Sequence, residues 1–444
     1  MTQRDLSERA LRSALTRRRF TAGALGTAAA LAGLHGLRWE ALPAAAQDAI
    51  AGDIEFWFLA GAGFQADVFK DSVARLEAAY PDVKVSIQEL QNDPFKTKLA
   101  VAMGSDSPPD VWHTWGGGVL QEYVKAGAVK DLTADLAKDG WGETFAPAAL
   151  GLMQADGKTW GVPLNVSGVF FYYNTELFEQ NGWTPPATWD ELTALIGTIK
   201  EAGIVPISLA NKTKWPGAFY LNYMVERVAG EQFLADIVSG AKTFEDPAFL
   251  EACKRTAEFG TMGAFQPGFN GTDYDTGGSR QLLYSGKSAM ELMGNWLVPT
   301  AAGESPGFED KLAFFPMPVP PGGVGDPSSL IGGAGRAYAV SEKSKAPAAA
   351  VELLRYLTDD TVRDAFAAGG EVPAMSGATI EDPGAKAVAE AIGKARHLQL
   401  YWDQFLPPAL GQAQLDVSQG LLGGDMTPEQ GVAMMVEAFN KASD

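Results

Sequence analysis

Ile54-Glu55-Phe56-Trp57-Phe58-Leu59, closed by the small-residue turn Gly61-Ala62-Gly63, is the stretch on which the fold turns. Six residues this rich in aromatic and β-branched side chains read as a strand, and the glycines punctuate its end. Downstream, Phe69, Val73, Leu76 and Tyr80 recur at helical spacing along one face until Pro81 stops the run. Val83, Val85 and Ile87 then alternate as a second strand. Asp93-Pro94 supplies an N-cap and first-turn pair for a helix lining up Phe95, Leu99 and Ala102. Pro109-Asp110-Val111-Trp112 reads as a third strand. Strand, helix, strand, helix, strand predicts an α/β lobe with a largely parallel sheet. A second series starts at Val169-Phe170-Phe171-Tyr172-Tyr173. It continues through the capping-box pattern Thr188-Trp189-Asp190-Glu191, a helix with Leu192, Leu195, Ile196 and Ile199 inward, and the strand Ile204-Val205-Pro206-Ile207. Residues 299–335, rich in Pro and Gly, are expected to be a connector or rim loop. Pro347 opens a helix with Ala350, Leu353, Leu354 and Leu357 on one face.

At 444 residues, 46% hydrophobic and 20% charged, the chain has core enough for two or three folding units. Its formal charge is −19; residues 1–46 contribute +4, so the remainder carries −23. A body that acidic repels nucleic acid and anionic membranes, and neither is an expected partner. Arg17-Arg18-Arg19-Phe20, a weakly apolar stretch over 22–34 and Pro43-Ala44-Ala45-Ala46 stand in the order of an export leader. Residues 1–46 are accordingly read as a twin-arginine-type signal peptide. The one cysteine, Cys253, is far from the cleavage region, so the expectation is a soluble periplasmic protein without a lipid anchor.

Several chemistries find no support. Only His113 and His397 follow the leader, too few with one cysteine for the usual zinc ligands. Cys253, at core spacing with Leu250 and Ala257, reads as a small buried hydrophobe. Asp273-Tyr274-Asp275-Thr276-Gly277 imitates the start of a calcium loop, but Tyr284 holds the twelfth position. Gly61-Ala62-Gly63-Phe64-Gln65-Ala66 matches a dinucleotide fingerprint. Against that, Asp67 would set a carboxylate beside the pyrophosphate, and Glu55 interrupts the preceding strand. No cofactor and no metal are expected.

Four tryptophans sit in polar or glycine-rich surroundings: Trp115 before Gly116-Gly117-Gly118, Trp215 before Pro216-Gly217, Trp296 after Gly294-Asn295, and Trp402 beside Asp403. An indole face packs on the C–H face of a pyranose while amides and carboxylates take its hydroxyls, so the pattern suits a sugar. The chain resembles a known family on Phe95-Lys96-Thr97-Lys98-Leu99, Ser107-Pro108-Pro109-Asp110-Val111, Gly161-Val162-Pro163 and Tyr172-Tyr173-Asn174-Thr175-Glu176-Leu177-Phe178. Further motifs are WTPPATWDEL at 183–192, Gly286-Lys287-Ser288-Ala289-Met290, Gly294-Asn295-Trp296, Gly332-Gly333 and the stretch 341–357. In order and spacing these are similar to the extracellular solute-binding proteins of bacterial ABC importers, sugar-binding branch, to which maltose-binding protein belongs.

The resemblance implies an α/β, two-lobed periplasmic-binding-protein fold with a hinge and an inter-lobe ligand cleft. Lobe 1 would comprise residues 47–163, completed by about 338–395, and lobe 2 residues 164–337, completed by about 396–444. Crossings are expected near 161–165, near 335–339 and around 390–400. The residues carried over to the ligand site are Gln65, Asp93, Trp115, Asn165, Trp215, Asn295, Trp296, Arg336, Trp402 and Asp403, with Glu371 a weaker candidate. The implied function is non-catalytic: a monomeric receptor that binds an oligosaccharide or glycoside and delivers it to the ABC permease's transmembrane subunits. The alternatives are an exported glycoside hydrolase, which also uses Trp platforms but needs two carboxylates flanking the bond, and an exported NAD(P)-dependent oxidoreductase.

Overall fold

β1 (Gly52–Leu59) sends alternate side chains to opposite faces, and both faces are covered. On one, Phe56 and Phe58 meet Phe69 of the helix Gly63–Ala79, with Leu354 and Phe366 from later helices. On the other, Trp57 joins Phe95, Leu99 and Trp112. Glu55, at the strand's edge of burial, accepts a hydrogen bond from Trp57 Nε1 at 2.7 Å. This computed structural model describes residues 50–443, so the signal peptide expected over 1–46 lies outside the described residues.

β2 (Val83–Leu90) and β3 (Val111–Thr114) flank β1, both in parallel. A small hairpin, β4 (Gln154–Ala155) and β5 (Lys158–Thr159), leads into the long β6 (Val162–Asn174). β7 (Val205–Ile207) lies parallel to β8 (Ser288–Gly294), and β9 (Leu312–Phe315) pairs with β6. β10 (Leu330–Val340), β11 (Val372–Pro373) and β12 (Leu398–Gln399) complete the set. The main path runs β2-β1-β3-β10-β6-β8-β7. The sheet is therefore parallel only within each lobe. β10 opposes both β3 and β6, and β6 opposes β8, so antiparallel pairs join the parallel ones.

Both long strands change core partway along. β6 gives Val162 and Leu164 to the first-lobe core and residues 169–172 to the second; β10 gives Leu330 and Ile331 to the second and Tyr338 and Val340 to the first. Between these apolar ends lie Asn165, Ser167, Gly332, Gly333, Gly335 and Arg336, the polar and small residues that face neither core. The third passage runs from Met375, in the first core, to Val388 of the helix Pro383–Lys394, in the second. It lies earlier than the expected 390–400, and the residues around Leu398 instead pair with β10 inside the second lobe.

Local signals held in most places. Thr188 and Glu191 form the reciprocal capping box that opens the helix Trp189–Glu201. Cys253 is buried, which pushes its thiol pKa up to about 12. Two expectations need correction. The second helix begins at Asn92 after Gln91, with no side-chain cap, so Asp93 lies within the first turn. The Pro/Gly-rich 299–335 stretch contains the end of the helix Leu297–Glu304, β9 and the start of β10; its longest loop, 316–329, is clamped by buried Arg227, which donates to the carbonyls of Met317, Pro327 and Ser329. Strands this short are masked by neighbouring prolines until their distant partner β6 is known.

The lobes also meet through the segment 400–406. Leu400, Tyr401, Trp402 and Leu406 belong to the second core, yet their backbone lies on the first lobe's helix Gly117–Lys125. At Gly118 a Cβ would stand 2.5 Å from the Phe405 carbonyl oxygen, so this approach requires glycine.

Candidate ligand site

A cavity of about 260 Å³ opens where the crossing strands pass between the cores. Its inner wall is a closed ring of hydrogen bonds. Arg336 Nη2 donates to Gln65 Oε1 (2.7 Å), Gln65 Nε2 to Glu371 Oε1 (2.8 Å), Asn165 Nδ2 to Glu371 Oε2 (2.8 Å), and the Arg336 backbone N–H returns to Asn165 Oδ1 (2.7 Å). Arg336 Nη1 also reaches the Leu59 carbonyl at 2.8 Å. All four residues are buried. Desolvation raises the Glu371 carboxyl pKa, and Arg336 and the two amides oppose that rise. Gly61 makes the ring possible: a Cβ there would fall 2.1 Å from Arg336 Nη2 and 2.2 Å from Gln65 Oε1. The glycine of the apparent dinucleotide fingerprint thus clears room for a guanidinium.

The opposite wall is aromatic and comes from the second lobe. Trp215 opens the helix Trp215–Ala229, after Lys214 in a left-handed conformation (φ 67°) whose ammonium is held by Asp416 at 2.5 Å. Its indole meets Tyr274 edge-on at 4.7 Å and lies 6.2 Å from Trp296. Trp296 Nε1 donates to Tyr274 Oη at 3.2 Å, and Phe219 and Tyr401 fill in around it. Here polar atoms are left open. Among the described residues, Trp215 Nε1 is buried without a hydrogen-bond partner while its side chain lines the cavity, and Ser167 Oγ and Tyr401 Oη, which line it too, have only each other. Orphaned donors and acceptors of this kind cost about 1–3 kcal/mol each unless something pairs them.

Charged groups complete the rim. Lys96, on the first lobe's helix Asn92–Met103, binds Asp403 of the second lobe at 2.8 Å and lies 5.2 Å from the Trp115 ring centroid. Arg280 grips Glu304 with two hydrogen bonds (2.6 and 2.8 Å) and stacks 4.4 Å over Tyr274. Burial opposes the Glu304 charge, but the guanidinium outweighs it and lowers that carboxyl's pKa.

Of the ten residues expected at a ligand site, the structure gathers seven around this cavity: Gln65, Trp115, Asn165, Trp215, Trp296, Arg336 and Asp403; Glu371 lines it too. Three lie outside its walls. Trp402 is a core residue beside Phe244, and its neighbour Tyr401 faces the cavity instead. Asn295 is buried and accepts the Gly168 N–H, tying the end of β8 to β6. Asp93 stands in the first helical turn behind Lys96, and burial raises its pKa. Sequence reasoning missed Lys96, Ser167, Tyr274, Asp275, Arg280, Glu304 and Tyr401 as lining residues. The signal was present for some: Lys96 lies in FKTKL, and Tyr274 and Asp275 in the false calcium loop.

Residues 58–364 match the family model described as bacterial extracellular solute-binding protein. A probable sugar-binding periplasmic protein of Mesorhizobium japonicum is 26% identical over 88% of this chain and 93% of its own. The chain spans 60% of the length of another relative, an uncharacterised ABC transporter extracellular-binding protein of Pyrococcus horikoshii, at 23% identity. Among solved structures, a chitin oligosaccharide binding protein superposes with a TM-score of 0.81 at 26% identity, covering 88% of this chain and 99% of that one.

Proposed function

Since the chain belongs to the bacterial extracellular solute-binding proteins, we propose that it is the periplasmic receptor of an ABC importer and that its cavity holds a carbohydrate. One observation carries the ligand class: an aromatic wall whose buried Trp215 indole N–H has no partner within the protein and whose Tyr401 hydroxyl has only that of Ser167. Flat rings and open hydrogen-bonding atoms are what a pyranose uses. The similarity to sugar-binding and chitin oligosaccharide binding proteins supports the same reading. The contacts come from the seven gathered residues with Glu371, the lobes close around the ligand, and the closed form docks on the permease. Closure needs only that ligand bind the closed form better than the open one.

The hydrolase alternative is disfavoured by the carboxylates: Glu304, Glu371 and Asp403 already accept hydrogen bonds from protein N–H groups, which leaves Asp275 alone where hydrolysis needs a pair. Incubating purified protein with a panel of mono- and oligosaccharides decides the matter. The expected result is stoichiometric binding and a raised melting temperature with the sugar recovered intact. Turnover would reject the receptor reading.

A further inference from the structure

The cavity's charges do not balance. Its three cations are engaged: Lys96 with Asp403, Arg280 with Glu304, and Arg336 with Gln65 and the Leu59 carbonyl. Glu304, Glu371 and Asp403 all accept protein hydrogen bonds. Asp275 is the exception. Its backbone N–H goes to Asp273 Oδ1 at 2.9 Å, but no hydrogen bond or ion pair reaches its carboxylate among the described residues. Asp273, its neighbour, is already bound to Lys212 at 2.9 Å. Burial, then Asp93 of the other lobe and Asp273, disfavour the Asp275 charge, and Arg280 and Lys96 offset this only in part. The same cavity presents the buried, unpaired Trp215 Nε1 and the Ser167 and Tyr401 hydroxyls, which have only each other, so its walls suit a hydrogen-bonding ligand.

We propose that Asp275 is a specificity residue that turns this cavity against acidic glycans and toward glycans carrying a free amine. A uronate would bring a second negative charge to a half-buried carboxylate that Arg280 and Lys96 offset only in part. An ammonium would supply the missing counter-charge and a charge-assisted hydrogen bond. The inference rests on the carbohydrate reading above and adds the charge class to it.

The test takes the tightest neutral oligosaccharide from the panel and titrates it calorimetrically beside its 2-amino-2-deoxy and uronic acid forms. The expected order is amine, then neutral, then acid, with steps of about tenfold in Kd. In Asp275→Asn the acid-to-amine ratio should collapse toward one. Asp93→Asn, should Asp275→Asn melt early, should shrink the ratio in the same direction by less. An acidic form that binds as tightly as the neutral one, or a ratio unmoved by both variants, overturns the proposal and leaves the receptor reading standing. If no sugar binds, neutral or amine-bearing, the carbohydrate reading falls and the proposal with it.

Discussion

The two walls of the cavity solve opposite problems. The ring of Arg336, Gln65, Glu371 and Asn165 spends its hydrogen bonds internally, so its geometry is fixed before any ligand arrives. The Trp215, Trp296 and Tyr401 wall leaves the Trp215 N–H open and offers broad apolar faces. One wall is a template and the other is a grip. The first should matter most for folding and the second most for binding.

The strongest way to break that contrast is Arg336→Met. It strands Gln65 Oε1 and the Leu59 carbonyl and leaves Glu371 buried without its guanidinium. We expect a loss of about 3–5 kcal/mol in unfolding free energy, read from urea denaturation. A loss under 1 kcal/mol would mean that the ring is ornamental. Next, Trp296→Ala should abolish the largest sugar-induced melting shift and weaken binding by about 2 kcal/mol or more, while the ligand-free protein melts nearly as before. An unchanged ligand response removes Trp296 from the site.

The smallest effect sharpens the comparison beneath the aromatic wall. Glu291 is buried, accepts a hydrogen bond from Ser279 at 2.7 Å, and has its pKa raised to about 7, mainly by desolvation. A carboxyl whose folded pKa exceeds its unfolded one holds its proton more tightly when folded. Stability contributed by this group is therefore greatest below about pH 4.5 and falls as pH rises toward 7, by at most about 1.4 kcal/mol per pH unit. Glu291→Gln should flatten that slope in denaturation curves taken between pH 4.5 and 7.5. An identical slope in both proteins would assign it elsewhere.

Much of the architecture was legible because local periodicity and global packing agree in β1, the helix Gly63–Ala79 and the capped helix Trp189–Glu201. The site was legible where an aromatic or amide stands beside a motif, as with Trp215 and Asn165. It was hidden where the side chain's direction depends on tertiary packing. Tyr401 and Trp402 are adjacent, and nothing local says which ring turns inward. Asp275 was hidden differently: its motif invited a calcium reading, and rejecting that removed it from view. The third passage was misplaced because no periodicity marks where a chain changes core.

The contact at Gly118 has a consequence for motion. Two main chains from different halves touch there, with hydrogen atoms as the only spacers. Even one methyl group would act as a shim between the halves, and because Tyr401, Asp403 and Gln404 of the same segment face the cavity, the displacement would be felt at the cargo itself.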